Sequence, residues 1–361
     1  MSHTTVSGLK NKAAFYIPSL DGIRAVSFLM VFLGHVGLKG IVPGPFGVTV
    51  FFFLSGYLIT TLLRIEYDRN GKVSFKQFYL KRILRILPPF YLVLVAAIAL
   101  VLIGVLPGEI QLPAVASQML HYSNYWMVQH GGDGQPLGTI VFWSLAVEEH
   151  FYVLLPWFYL CLRKINATGK QQAIALWGLC LAILLWRCVL VFAFGATEGR
   201  IYSASDTRFD SILFGCALAV YENPVLDPES RLSEKTWKCM LLPLALIILL
   251  LTFVSKSFEF EYTVRYSIQG IALYVVFICA IRYPTWSFFQ ILNLQWVRFL
   301  GVLSYSLYLV HYITIYAVEN QLPNLAPFIQ NTLALAVAIA ISYAIYQLVE
   351  KPCAVWRKKL S

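Results

Sequence analysis

LDGIRAVSFLMVFLGHVG, residues 20–37, has the length and apolar content of a membrane helix, yet it carries Asp21, Arg24 and His35. An ionisable group in the hydrocarbon layer costs roughly 2.5–3.5 kcal/mol on insertion scales, so such groups usually line a cavity or pair with each other. Arg24 and His35 stand eleven residues apart. At about 100° per residue that separation is three turns and a little more, which puts both side chains on one helix face roughly 16 Å apart. In one reading Arg24 reaches the headgroups along its apolar stem and His35 bonds a neighbouring carbonyl. In the other the shared face lines a polar tunnel in which His35 is a base, histidine being the side chain best placed to take a proton near neutral pH.

The rest of the chain settles the solvent. Of 361 residues, 59% are hydrophobic and 13% charged, with a mean hydropathy of +0.69. A soluble domain carries about 25% charged residues. Ten apolar segments can be drawn, at 20–38, 46–64, 86–106, 138–161, 171–194, 207–222, 239–255, 265–282, 299–319 and 328–350. Those at 207–222 and 239–255 are short for a hydrocarbon layer of roughly 30 Å. With both termini on the cytoplasmic side, that side receives Lys10 and Lys12, the seven basic residues from Arg64 to Arg85, Arg163, Lys164, Lys170, Arg231, Lys235, Lys238, Arg282, Arg298, Lys351, Arg357, Lys358 and Lys359. These are 21 of the 28 lysines and arginines. Lys39, Arg200, Lys256 and Arg265 fall outside, and Arg24, Arg187 and Arg208 lie within segments. The asymmetry satisfies the positive-inside rule. The net charge of +10 is therefore topological and requires no nucleic-acid partner.

The fold expected is an all-α integral membrane bundle of about ten helices enclosing a polar cavity, with both termini cytoplasmic. Residues 1–361 are expected to form one membrane domain with no appended soluble domain, in the cell membrane (the inner membrane if the source is a Gram-negative bacterium). The first twenty residues show no apolar core followed by a small-residue cleavage site, so no removable signal peptide is read. The seven cysteines are scattered through apolar runs without metal spacing and read as core filler, with no metal expected. The stretch 107–137 outside contains the amphipathic LPAVASQMLHYSNYW and the flexible GGDGQPLG, while 286–299 suits a helix lying in the interface.

Further polar groups lie in the apolar segments. Arg82 and Arg85, in FYLKRILRILPPFY, share a face by i, i+3 spacing at the mouth of the third segment. They are either positive-inside anchors or a fork for the phosphates of a nucleotide. FWSLAVEEHFYVLLP puts Glu148, Glu149 and His150 in mid-segment; adjacent glutamates cannot share a face, so at most one points at a given site. Pairing with Arg187 or Arg208 is one role for them, and orienting His35 or its substrate the other. In SDTRFDSILFGCALA, Asp206, Arg208 and Asp210 are explained in part by mutual ion pairing. In LGVLSYSLYLVHYITIY, Ser304, Tyr308 and His311 fall on one face and fit a hydroxyl-lined cavity wall or hydrogen-bonded packing.

LDGIRAVSFLMVFLGHVG, FGVTVFFFLSGYLIT, FYLKRILRILPPFYLVL, FWSLAVEEHFYVLLP, DTRFDSILFGCALA, LSYSLYLVHY and LVEKP occur in this order. Together they closely resemble acyltransferase family 3, the integral-membrane O-acyltransferases that modify surface carbohydrates, over residues 18–353. The resemblance implies an acyl-CoA donor, usually acetyl-CoA, on the cytoplasmic side, and as acceptor a hydroxyl of a lipid-linked or exported carbohydrate such as a polysaccharide or lipopolysaccharide. No permanently bound cofactor is implied. The family's arginine–histidine pattern falls on Arg24 and His35, its arginine pair on Arg82 and Arg85, its tryptophan-to-glutamate helix on Trp143 and Glu148, and its late Glu-x-Pro on Glu350 and Pro352. His150 departs from the glutamine often found after the two glutamates. The expected roles are His35 and Glu148 as catalytic residues, Arg24, Arg82, Arg85, Trp143, Arg208 and Tyr308 as donor or substrate contacts, and Asp21, Asp206, Ser306, His311 and Glu350 as supporting groups. The rival class is a secondary transporter using the same charges, against which stands the absence of internal repeats. A non-catalytic scaffold would not need the Arg24/His35 register together with the Arg82/Arg85 mouth.

Overall fold

The computed structural model describes residues 16–38 and 40–360, and among these every regular element is helical. The first fifteen residues, which hold most of the stretch read for a signal peptide together with Lys10 and Lys12, lie outside the described residues, as do Lys39 and Ser361. Helices α1 (Pro18–His35), α2 (Gly44–Asn70) and α3 (Phe75–Leu102) open the chain. Two short helices, α4 (Leu112–Met119) and α5 (Ser123–His130), lead to α6 (Trp143–Lys164) and α7 (Gly169–Phe192), followed by α8 (Glu198–Ser203) and α9 (Ser205–Val220). Helix α10 (Glu234–Thr236) runs through a π turn, Trp237–Leu241, into α11 (Leu242–Val254). Then come α12 (Phe258–Tyr262), α13 (Arg265–Arg282), α14 (Ser287–Gln290) and α15 (Gln295–Gln321). Helix α16 (Pro327–Ile345) passes through a second π turn, Tyr346–Glu350, into α17 (Lys351–Lys359).

Local chemistry sets several of these ends. Ser74 caps α3 by accepting from the Gln77 amide, and Thr168 and Gln171 form a reciprocal capping box on α7. Gly71 closes α2 in the left-handed conformation at φ 66°. The expected amphipathic helix over LPAVASQMLHYSNYW is two helices, because the backbone turns at His121 with φ 56°. The expected interfacial helix over 286–299 is likewise broken: Leu294 is extended, and Gln295 onward belongs to α15.

Eight helical stretches among the described residues are long and apolar enough to cross a membrane: α2, α3, α6, α7, α10–α11, α13, α15 and α16–α17. The chain is a multi-pass integral membrane protein. The remaining two expected segments are helical as well, α1 and α9, but α9 has only 16 residues and 14 of them are buried. A helix enclosed by others needs no lipid-compatible surface, so it can be short and carry charge. Helix α9 packs against α2, α7 and α13, and α1 against α2 and α15. The crossings are close. A methyl group on Gly215 would sit 2.0 Å from the Phe53 carbonyl oxygen, and one on Gly301 1.8 Å from that of Asp21. Apolar side chains such as Leu181 and Leu185 on α7 and Leu250 and Leu251 on α11 point outward, the face a bilayer would cover.

Candidate active site

Two cavities lie along α1, one near each end. The first, of about 250 Å³, is lined by Arg24 of α1, Arg82 and Arg85 of α3, Glu148, Glu149 and Tyr152 of α6, and Ser304, Tyr305 and Tyr308 of α15. Arg24 Nη1 donates to Asp21 Oδ1 at 2.9 Å, while Asp21 Oδ2 is buried without a hydrogen-bond partner. Arg82 rests its guanidinium 5.8 Å from the Phe78 and Tyr152 ring centres, and its Nε is buried and unbonded. Neither Arg82 nor Arg85 takes part in an ion pair among the described residues. Tyr152 donates to Glu148 Oε2 at 3.0 Å and also meets the Ser55 hydroxyl. Both glutamates line this cavity, contrary to the expectation that at most one could; the cavity is wide enough to take in two directions about 100° apart on α6.

The second cavity, of about 520 Å³, is lined by His35, Trp143, Tyr202, Tyr266 and Tyr312, with Glu198, Lys256, Glu261 and Arg265 among its charged residues. His35 stacks on Tyr312 at 4.3 Å and pairs with His311, which is fully buried. The tautomers follow from the acceptors. His311 Nδ1 lies 2.8 Å from the Tyr308 carbonyl oxygen, which can only accept, so Nδ1 carries the proton and Nε2 the lone pair. His35 Nδ1, 3.2 Å from that Nε2, must then donate, leaving the basic lone pair of His35 on its own Nε2. The partner that orients His35 is thus a second histidine. Glu148, expected in that role, belongs to the other cavity.

Between the cavities stand Val48, which lines both, and the edge-to-face pair Phe52 and Trp143 at 6.1 Å, one on each side. Tyr308 donates to the Val141 carbonyl at 3.1 Å and lies 2.7 Å from the Ser144 hydroxyl. Behind this wall Arg208, 0% exposed, is surrounded by the rings of Phe52, Trp143, Tyr202 and Tyr266 at 4.0–5.8 Å. Its polar contacts are Thr49 Oγ1 at 3.2 Å and the Tyr202 carbonyl at 3.4 Å, and its Nε has none. The expected mutual pairing of Asp206, Arg208 and Asp210 is not what forms. Two residues along a helix turn about 200°, so Arg208 points away from both acids. Asp206 takes Arg200 at 2.5 Å and Trp186 at 2.7 Å, and Asp210 takes Arg187 at 2.7 Å. Arg187 is accordingly not the partner of either α6 glutamate. Ser306 donates to Glu350, tying α15 to the second π turn. Sequence reasoning missed Ser55, Tyr152, Tyr305 and Tyr312; Tyr152, four residues after Glu148, and Tyr312, adjacent to His311, were the two with a local signal.

A family model described as "Acyltransferase domain" matches residues 17–347. The chain is 30% identical over 91% of its length to the peptidoglycan O-acetyltransferase OatA of Listeria monocytogenes. It is 29% identical over 93% of its length to a Bacillus subtilis protein named "Putative peptidoglycan O-acetyltransferase YrhL". It spans 54% and 55% of these two relatives' own lengths. No solved structure matches it significantly. With the family pattern running from Ile17 to Gln347 across both cavities, this chain belongs to that acyltransferase family.

Proposed function

We propose that the chain is a membrane O-acyltransferase that takes an acyl group, in the first instance acetyl, from acyl-CoA in the cytoplasm and places it on a hydroxyl of an envelope carbohydrate. One arrangement carries this proposal: three arginines from two helices line one cavity, and the Tyr308–His311 turn leads from it to His35 in the second. The names of the relatives make peptidoglycan the first acceptor to try. In the topology we propose, α1 and α9 complete ten spans within a single membrane domain, both termini are cytoplasmic, the arginine cavity opens inward and the histidine cavity outward. The charge asymmetry of the sequence supports this orientation.

Arg82 and Arg85 hold the phosphates of the donor, and its pantetheine arm enters the arginine cavity toward Tyr308. Arg24 and Asp21 fix the wall beside it, as do Glu148, Tyr152 and Ser55. His35 Nε2 takes the proton of the acceptor hydroxyl; its oxygen bonds to the thioester carbonyl carbon, the carbon–sulfur bond breaks, and coenzyme A leaves as the thiolate, which takes up a proton. The Arg208 charge behind Trp143 favours the oxyanion that forms on the way. The arm must pass the Phe52–Trp143 wall, so that wall opens during turnover. Membership of an acyltransferase family leaves the transporter alternative without support. The test is mass spectrometry of envelope glycans from cells with and without the protein, and with His35→Gln. A mass increment of one acyl group present only with the wild type is expected; identical glycans in all three would refute the activity on that envelope.

A further inference from the structure

Helix α17 brings a fourth guanidinium, that of Arg357, within electrostatic reach of Arg82 and Arg85. Beyond the π turn at Tyr346–Glu350, α17 packs across α3, the helix that carries Arg82 and Arg85. Along α17 Cys353 is buried, and Ala354 and, one turn on from Cys353, Arg357 are half-buried. Lys351, Lys358 and Lys359 are exposed, so Arg357 is the basic residue of this helix turned toward the bundle. Arg357 interacts electrostatically with Arg82 and Arg85, and Arg85 with Arg24.

Four like charges brought together repel unless something negative joins them. The neighbouring carboxylates answer only in part. Asp21 holds Arg24, Glu148 accepts from Tyr152 and faces Arg82 and Arg85, Glu149 faces Arg82, and Glu350, which accepts from Ser306, faces Arg85 and Arg357; among the described residues none of the three glutamates closes to an ion pair. Among the described residues, Arg24 alone of the four arginines is ion-paired. The cluster is also ordered in space: Arg24, Arg82 and Arg85 line the cavity, while Arg357 stands outside its lining. Coenzyme A has the matching order. Its diphosphate adjoins the pantetheine arm, and its single 3′-phosphate sits on the ribose at the far end.

Resting on the reading of acyl-CoA as donor, we infer that Arg357 recognises the ribose 3′-phosphate while Arg82 and Arg85 take the diphosphate, so that α17 is what makes the site select coenzyme A over its 3′-dephospho form. Arg357 is only half-buried and its neighbours Lys358 and Lys359 are exposed, so its replacement leaves the packed bundle intact. The experiment measures binding of coenzyme A and of 3′-dephospho-coenzyme A to the purified full-length protein in lipid nanodiscs, for wild type, Arg357→Ala and Lys358→Ala. The wild type and Lys358→Ala should prefer coenzyme A by about tenfold or more, the weight of one charge-assisted phosphate contact. Arg357→Ala should lose that preference by weakening coenzyme A alone. A preference unchanged in Arg357→Ala, or both ligands weakened equally, overturns the assignment while leaving the donor reading in place. A wild type that binds neither ligand overturns the donor reading and this inference with it.

Discussion

Replacing His311 with alanine asks whether the two histidines act as one unit. His311 Nδ1 is fixed by the Tyr308 carbonyl at 2.8 Å, and its Nε2 receives the His35 Nδ1 proton at 3.2 Å. When His35 Nε2 accepts a proton the ring becomes a cation, and its bond to His311 becomes charge-assisted. Hydrogen bonds to charged groups contribute about 1.5–3 kcal/mol. At about 1.4 kcal/mol per factor of ten, losing that bond slows transfer by about 10- to 150-fold. Donor affinity should hold, because neither histidine lines the arginine cavity. In the proposed mechanism His35→Gln removes the base itself and should cost about 10²- to 10⁴-fold. Both residues work through the same proton, so the double variant should be no slower than His35→Gln alone. The assay follows radiolabelled acetyl transfer from acetyl-CoA into envelope glycan by the wild type and three variants in nanodiscs, with coenzyme A binding and melting temperature measured on the same samples. Losses that multiply in the double variant would refute the shared proton. Wild-type transfer by a folded His35→Gln would refute the base.

Arg82→Ala with Arg85→Ala should weaken coenzyme A binding by about tenfold or more while leaving a folded protein, since both line the cavity and neither is ion-paired among the described residues; unchanged affinity would leave them as topology anchors. Arg187→Met strands Asp210 without its cation and should cost about 3–5 kcal/mol, read as a large fall in melting temperature or loss of folded protein; a melting temperature like the wild type's would mean that the pair holds nothing together. Reporter fusions near Gly132 and at Leu360 should report exterior and cytoplasm respectively, and the same side for both would overturn the ten-span topology.

Much of this was legible in the sequence because run length and helical angle are local quantities. The apolar runs located the eight helices long and apolar enough to cross a membrane, and i, i+3 spacing put Arg82 and Arg85 on one cavity wall. What angle alone does not say is where a wall crosses the bundle. Arg24 and His35 share a face of α1 as expected, yet they serve different cavities, because Phe52 from α2 and Trp143 from α6 stand between them. The partner of His35 lies 276 positions away and is set by the crossing of α1 with α15, which Gly301 allows to be tight. Glu148 looked like the natural orienting acid because it lies in mid-segment, but the placement of α6 hands it to Tyr152 and the arginines instead. Local spacing also misdirected the reading of α9, where Arg187 and Arg200, from outside that helix, outcompeted Arg208 for the two aspartates.

That last reversal separates two kinds of buried cation on opposite sides of one helix. Arg187 donates to Asp210, Ser267 and the carbonyls of Thr207 and Thr263, all within 2.7–2.9 Å. Its charge is neutralised and its geometry fixed, so it works as a joint between α7, α9, α13 and the Thr263 turn. Arg208 has no carboxylate within ion-pair distance among the described residues; ring faces surround it, and its two acceptors are long. Ring faces stabilise a cation by about 0.5–2 kcal/mol each without bringing a counter-charge to cancel it. In a low-dielectric interior an uncancelled charge acts strongly on any charge that develops nearby. In the proposed reaction the thioester carbonyl would meet the acceptor oxygen at the Phe52–Trp143 wall, where the two cavities approach and against which this charge rests. A short, charged α9 at the centre of the bundle is therefore suited to both tasks, its Asp210 holding Arg187 of α7 in the joint and its Arg208 keeping a charge for the proposed reaction.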